Sequence, residues 1–399
     1  MRVTHVITRL IVGGAQENTV ASVLGLRHKE NLEVQLIAGR DQGPEGSLAP
    51  SLVGVPGLLT VLPELVRPIH PWQDARALRA LTRLFREQRP DLVHTHSGTA
   101  GILGRLAAAR AGVPVIVHTI HGPSFGPFQG ALANAIFLAA ERRAARVTTH
   151  FVSVAEAMTR QYLAAGVGHP EQFTRILSGF PLEPFLAARN DPALRARWGL
   201  TSEDFVVGKI ARLCPLKGHE ELFAAAPALR QRCPRMKFLL VGDGPWRGRL
   251  ATRARALGLE KHFIFTGLVP PADMPSVVGL MDALVHLSRR EGLPRALPQA
   301  LAARKPVVAS DCDGANEICL PDETGFLVRP GDEGELVERL VQLAGDAALR
   351  ERLGARGQQL VRERFSVERM VDELHALYLK LARGPQTLRP GPKAETHAA

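Results

Sequence analysis

The chain has 399 residues, 45% of them hydrophobic and 22% charged, which suits two or three domains with a sizeable core. That mixture excludes disordered, collagen-like and disulfide-scaffold classes. The net charge of +11 is spread over both halves instead of forming a basic arm, so it favours nucleotides or anionic lipid head groups over nucleic acid.

The best apolar run, residues 131–140, is interrupted by Asn134 and falls short of the ~18 residues a membrane span needs. His5, Thr8 and Arg9 break up any secretory signal, so a cytoplasmic location is expected. Cys214, Cys233, Cys312 and Cys319 form no C-x-x-C pair and read as reduced core residues.

In chain order, β-branched runs at 3–8 and 32–38 predict strands, with Gly13-Gly14 and a helix from about Ala15 between them. Residues 76–87 carry Leu78, Leu81, Leu84 and Phe85 at helical spacing. Strands are predicted at 91–95, 114–120 and 147–152, and a helix over 100–110 that ends at Gly112. Ser153-Val-Ala-Glu156 reads as a capping box opening a helix that closes at Gly166.

The pattern lapses over 180–190, where Pro181 and Pro184 mark a domain boundary. It restarts with strands at 205–210, 236–241, 263–266, 283–287 and 306–310 and a helix near 220–230. An amphipathic stretch, 367–383, and a disordered Gly/Pro-containing tail, 384–399, complete the chain. Such alternation predicts an α/β protein of two Rossmann-like, doubly wound parallel sheets facing each other across a cleft. Ligands of such sheets bind beyond the carboxyl ends of the strands.

Three segments fall at those ends. Gly13-Gly14 precedes a helix whose free N–H groups suit a phosphate, although a plain tight turn fits equally. Arg212 and Lys217 flank a strand end and can converge on a diphosphate, or remain two solvated cations. Glu291, followed by Gly292, Leu293 and Pro294, can meet sugar hydroxyls, or merely cap a helix. His94, His96, His118 and His121 cluster near two strand ends, but their spacings fit no standard zinc site. Arg142, Arg143 and Arg146 offer either a solvated helix face or a peripheral contact with an anionic membrane.

The segments GGAQ, DLVHTHS, HTIHG, GKIARLCPLKGHEEL, FLLVGDGPWR, FTGLV, EGLPRALPQALAARKPVVASD, GANEI and TGFLVRPGD together resemble the retaining family-4 glycosyltransferases of GT-B fold, over about residues 1–380. The resemblance implies an acceptor-side domain over 1–182, a donor-binding domain over 183–365 and a helix, 366–383, that crosses back to the first. It implies a UDP- or GDP-linked sugar donor, no essential metal, and retention by front-face attack within an ion pair, with no enzyme nucleophile assigned. Arg212 and Lys217 match the cations that neutralise the leaving diphosphate, and Gly14, with Gly13, would cradle it from the other domain.

Glu291 matches the first glutamate of the family's E-x7-E motif, on the donor sugar, and His121 the histidine beside the reacting sugar. Gly242 and Gly267 fall in two of the shared segments and are expected at the donor site. Gln299 departs from the pattern, standing where the second glutamate would meet the ribose, and Pro298 beside it is expected to delay the helix start. The acceptor, lipid-linked or an oligosaccharide, is not legible, because 40–66 and 123–129 carry no interpretable motif. Cell-surface polysaccharide or glycolipid assembly at the inner membrane face is the expected setting. Two alternatives stay open: an inactive GT-B nucleotide-sugar-binding scaffold, and a GT-B phosphorylase or epimerase.

Overall fold

In the computed structural model, residues 1–384 are described, apart from 41–45, 53, 68 and 127. Of the tail expected to be disordered, residues 385–399 lie outside the described residues, as do parts of 40–66 and 123–129.

The first sheet holds β1 (Arg2–Ile7), β2 (Glu33–Ala38), β3 (Leu59–Val61), β4 (Leu92–His96), β5 (Val115–Ile120), β6 (His150–Ser153) and β7 (Phe173–Arg175). Their order is β3-β2-β1-β4-β5-β6-β7. The second holds β8 (Phe205–Ile210), β9 (Met236–Val241), β10 (Phe263–Gly267), β11 (Ala283–His286), β12 (Val307–Ser310) and β13 (Gly325–Val328), in the order β10-β9-β8-β11-β12-β13. Every described strand pairing is parallel.

Covered by helices on both faces, the central strands are buried along their length, as in VIVHTI of β5 and VVAS of β12. The strand order reverses beside β1 in one sheet and beside β8 in the other, which places a ligand crevice between β1 and β4 and another between β8 and β11.

One apolar cluster joins the two halves, packing Ile120, Phe125, Tyr162 and Phe180 with Leu293, Leu297 and Phe365. The chain passes between the sheets twice, and the two crossings touch. The Phe180 N–H donates to the Phe365 carbonyl at 3.1 Å, and a Cβ on Gly179 would lie 2.4 Å from the Ser366 carbonyl oxygen. The final helix, Val367–Ala382, lies on the first sheet: Met370, Val371, Leu374, Leu377 and Tyr378 share a core with Val3, Ile7, Val23 and Val117. Lys29 and Asp372 pair at its rim.

Three local expectations fail. Ser153 caps nothing. It ends β6, its hydroxyl bonds Thr159 Oγ1 at 2.7 Å, and the next helix starts at Glu156, so the glutamate sits at the first helical position instead of the third. Nor are the cysteines all core residues: all four are free, but only Cys319 is buried. The helix around Pro298 is not delayed. It begins at Ala296, which leaves Pro298 in the first turn, where its missing N–H costs nothing.

Candidate active site

A cleft of about 1450 Å³ lies between the carboxyl edges of the two sheets. Of the candidate site residues and histidines singled out in the sequence, Gly13, Gly14, His118, His121, Arg212, Lys217, Gly242, Glu291, Gly292, Leu293, Pro294 and Gln299 line it. Gly267 does not. Its carbonyl accepts the Gly242 N–H at 3.0 Å and so holds the lining loop from behind. Gly242, at φ 130, sits where a Cβ would lie 2.4 Å from the Ala211 carbonyl oxygen, so a side chain there would push the Arg212 loop out of place.

The second sheet supplies the charges. Lys217, in the loop after β8, donates to Glu291 Oε1, in the loop after β11, at 2.5 Å. His286 at the end of β11 places Nε2 3.4 Å from the same oxygen, and Asp313 accepts the Glu291 backbone N–H at 2.7 Å. Burial would push the Glu291 carboxyl upward, but His286 and the Lys217 ammonium outweigh it and hold the group well below the usual carboxylate range. It is ionised at any working pH. Behind the pair, burial lowers the Lys209 ammonium to about 7, despite the nearby Glu221. Sequence reasoning passed over Lys209, since a lysine within a strand carries no signal of its depth.

The first sheet supplies a helix start and a histidine. The helix Gly14–Leu26 begins directly at the cleft, with Gly13 as its cap and Glu17 in its first turn. His121 follows β5, and burial, with the Arg295 charge adding, lowers its imidazole to about 3. It is therefore neutral, able to exchange hydrogen bonds with a hydroxyl but not to act as a cationic acid.

Contacts from Arg295, Arg290 and Gly292 cross the cleft. Arg295 meets Glu17 at 2.9 Å and donates to the Gly14 carbonyl at 3.3 Å. Arg290 donates to the Pro123 carbonyl and stacks on the Phe128 ring. A Cβ on Gly292 would lie 1.9 Å from the His121 carbonyl oxygen, so the two backbones can meet only because position 292 has no side chain. These cross-cleft arginines sit in or beside the quoted EGLPRALPQ segment, yet nothing in the sequence says what they reach.

The histidines form a buried network. His5 Nδ1 and His96 Nε2 are 2.9 Å apart, and His96 Nδ1 and His121 Nε2 are 3.0 Å apart. His94 bonds Tyr378 through Nδ1 and Thr119 through Nε2, the latter at 2.6 Å, and Tyr378 lies 3.4 Å from His5 Nε2. His118 stands apart, bonded to Thr95 at 2.9 Å. His5, His94 and His96 could bring three nitrogens near one metal ion, but both ring nitrogens of each are engaged in these hydrogen bonds.

A two-sheet cleft with a helix start on one wall and paired cations and a carboxylate on the other is the architecture of GT-B glycosyltransferases. The structure superposes on Anabaena HepE, solved with UDP and glucose, with a TM-score of 0.81 at 22% identity, over 96% of this chain and 100% of that one. It superposes on sucrose-phosphate synthase from Thermosynechococcus elongatus with a TM-score of 0.80 at 19% identity, over 96% of this chain and 99% of that one.

Residues 190–360 match the glycosyl transferases group 1 model and residues 13–177 the glycosyl transferase 4-like domain. An Escherichia coli UDP-Gal:alpha-D-GlcNAc-diphosphoundecaprenol alpha-1,3-galactosyltransferase is 27% identical over 96% of this chain and 97% of its own. A 2-deoxystreptamine N-acetyl-D-glucosaminyltransferase from Streptomyces fradiae is 30% identical over 73% of this chain and 70% of its own. The chain belongs to the family-4 glycosyltransferases.

Proposed function

We propose that this glycosyltransferase moves a hexose from a UDP- or GDP-linked donor to a lipid-linked or oligosaccharide acceptor, retaining anomeric configuration and using no metal. The observation that carries the reading is the Lys217–Glu291 pair beside Arg212, facing the Gly13-Gly14 helix start. A glycosyl–oxygen bond breaks when the negative charge arriving on the departing diphosphate is stabilised; Arg212, Lys217 and the helix N-terminus supply the opposing positive charge here. Glu291 then holds sugar hydroxyls, His121 lies beside the reacting sugar, and Gln299 meets the nucleotide ribose. Residues 1–182 with 366–383 form the acceptor side, and 183–365 the donor side.

The lipid-linked acceptor draws support from the name of the E. coli relative. No helix among the described residues is long and apolar enough to cross a membrane. The helix Ala131–Ala145 exposes Leu132 and Ile136, then carries Arg142 and Arg143 in its last turn, a composition suited to the surface of an anionic inner leaflet.

A thermal-shift panel of UDP-, GDP- and ADP-sugars tests the donor. A ligand at 100 times its Kd adds about 2.7 kcal/mol, and silence from all three would defeat the reading. With the donor found, Arg212→Ala and Lys217→Ala should each cost about 3–4 kcal/mol of barrier with little loss of fold stability. Near-normal turnover in either would remove the diphosphate assignment. The anomeric configuration of the first product, read by proton NMR, decides retention.

A further inference from the structure

We propose that Tyr378, His5 and His96 are positioning residues that fix which ring nitrogen of His121 carries its proton, through one continuous hydrogen-bonded wire. The wire runs Thr119–His94–Tyr378–His5–His96–His121, six polar groups joined by five contacts. Its middle member, Tyr378, belongs to the C-terminal helix, and both of its ends, Thr119 and His121, line the cleft. The inference rests on the reading that His121 meets the sugar.

The geometry follows from strand register. In parallel strands β1 and β4, His5 lies opposite His94, and His96 is two residues on, so all three share one face of the sheet. Tyr378 covers that face and is fully buried, and Thr119 of β5 stands opposite His96. Burial holds His5, His94, His96 and His121 in the neutral form and keeps the Tyr378 hydroxyl protonated.

Proton counting supplies the rest. A neutral imidazole has one N–H and one lone pair, so an imidazole bonded at both nitrogens must donate on one side and accept on the other. The buried Tyr378 hydroxyl has only His94 and His5 as hydrogen-bond partners among the described residues, so its O–H is satisfied only by donating to one of them while its oxygen accepts from the other. Every contact is satisfied only when all five donors point the same way along the wire. Two directions are available. In one, His121 Nε2 accepts and its Nδ1 carries the proton; in the other, Nε2 donates and Nδ1 keeps a lone pair. A single group facing the wrong way would leave two buried atoms in conflict, each without the hydrogen bond it needs. The tautomer offered to the cleft is therefore set jointly with groups several contacts away.

Nitrogen NMR of the full-length protein labelled at histidine tests this without any substrate. We expect His121, His96 and His5 each to show one protonated and one bare nitrogen. In Tyr378→Phe, which cuts the wire in the middle, and in the nearly isosteric Thr119→Val, which removes its far end, the His121 nitrogens should move toward averaged values.

In the transfer assay both variants should lower kcat by about tenfold with donor KM within about twofold, the size of one lost hydrogen bond acting on the reacting geometry. Averaged His121 nitrogens in the unmodified protein, or an unchanged His121 tautomer in a folded Thr119→Val, would overturn the wire. Changed nitrogens with unchanged kcat would overturn the positioning role. A protein that shows the tautomer coupling but turns over no nucleotide sugar would instead count against the proposed function.

Discussion

The Arg295 guanidinium and the Glu17 carboxylate meet at 2.9 Å across the cleft, one from each half of the molecule. Arg295 also reaches the Gly14 carbonyl, so one side chain fastens the second-sheet lip of the cleft to the helix start opposite. The pair is partly screened, at 13% and 27% exposure, which limits its worth to about 1 kcal/mol. That is small against folding and large against a balance between open and closed clefts.

Glu17→Gln should therefore leave the melting temperature within about 2 °C and raise donor KM about three- to tenfold. Small-angle scattering with and without UDP would report the accompanying shift toward open forms. An unchanged KM would show that the pair does not govern closure.

The two positions of the E-x7-E pattern should separate kinetically. Glu291→Gln removes the charge paired with Lys217 and should cut kcat by about 10²- to 10³-fold. Gln299→Glu, at a cleft position given to the ribose, should change donor KM by less than about tenfold and spare kcat. Steady-state kinetics of both with one donor decides; equal effects on kcat would end the division of labour.

The stability of the Glu291 site has a definite sign with pH. Its lowered carboxyl contributes stability fully above the ordinary value of about 4.3 and loses it as pH falls toward the lowered one. Buried imidazoles act at higher pH. His5 and His121, both lowered to about 3, take up protons on unfolding at any pH between that value and the ordinary ~6.5. Stability should fall steadily from pH 7 to pH 4, with more than one proton absorbed per molecule unfolded near pH 5. Calorimetry in buffers of different ionisation enthalpy measures that uptake, and a value near zero would contradict the burial of the network.

Arg105 of the helix Gly98–Ala111 and Glu141 of the helix Ala131–Ala145 form a fully buried pair at 2.6 Å, with Arg105 also bonded to the Gly101 carbonyl. Glu141→Ala strands the guanidinium and should cost about 3–5 kcal/mol. The double change Arg105→Met with Glu141→Leu should cost less than the single one. Urea unfolding of both variants checks the order.

Much of the fold was legible because buried parallel strands write themselves as β-branched runs; β8 and β9 fall where the sequence put them. The strands that escaped, β3, β7 and β13, are edge strands of three or four residues, too short to show any period. The charged side of the cleft was legible because Arg212, Lys217 and Glu291 lie in the loops that follow strand ends. The histidine network was not. His5 looked like a polar interruption, and only the register of β1 on β4, together with a tyrosine more than 370 residues away, gives it partners.

Because the helix Val367–Ala382 completes the core of the first sheet, the half of the protein made first is finished last. A chain emerging from the ribosome can close the second sheet while the first still lacks Tyr378, leaving His5 and His94 without their shared hydroxyl and an apolar face uncovered. Synthesis interrupted before residue 367 yields a chain whose N-terminal half, though all its strands are present, has an unfinished interior for chaperones and proteases to find.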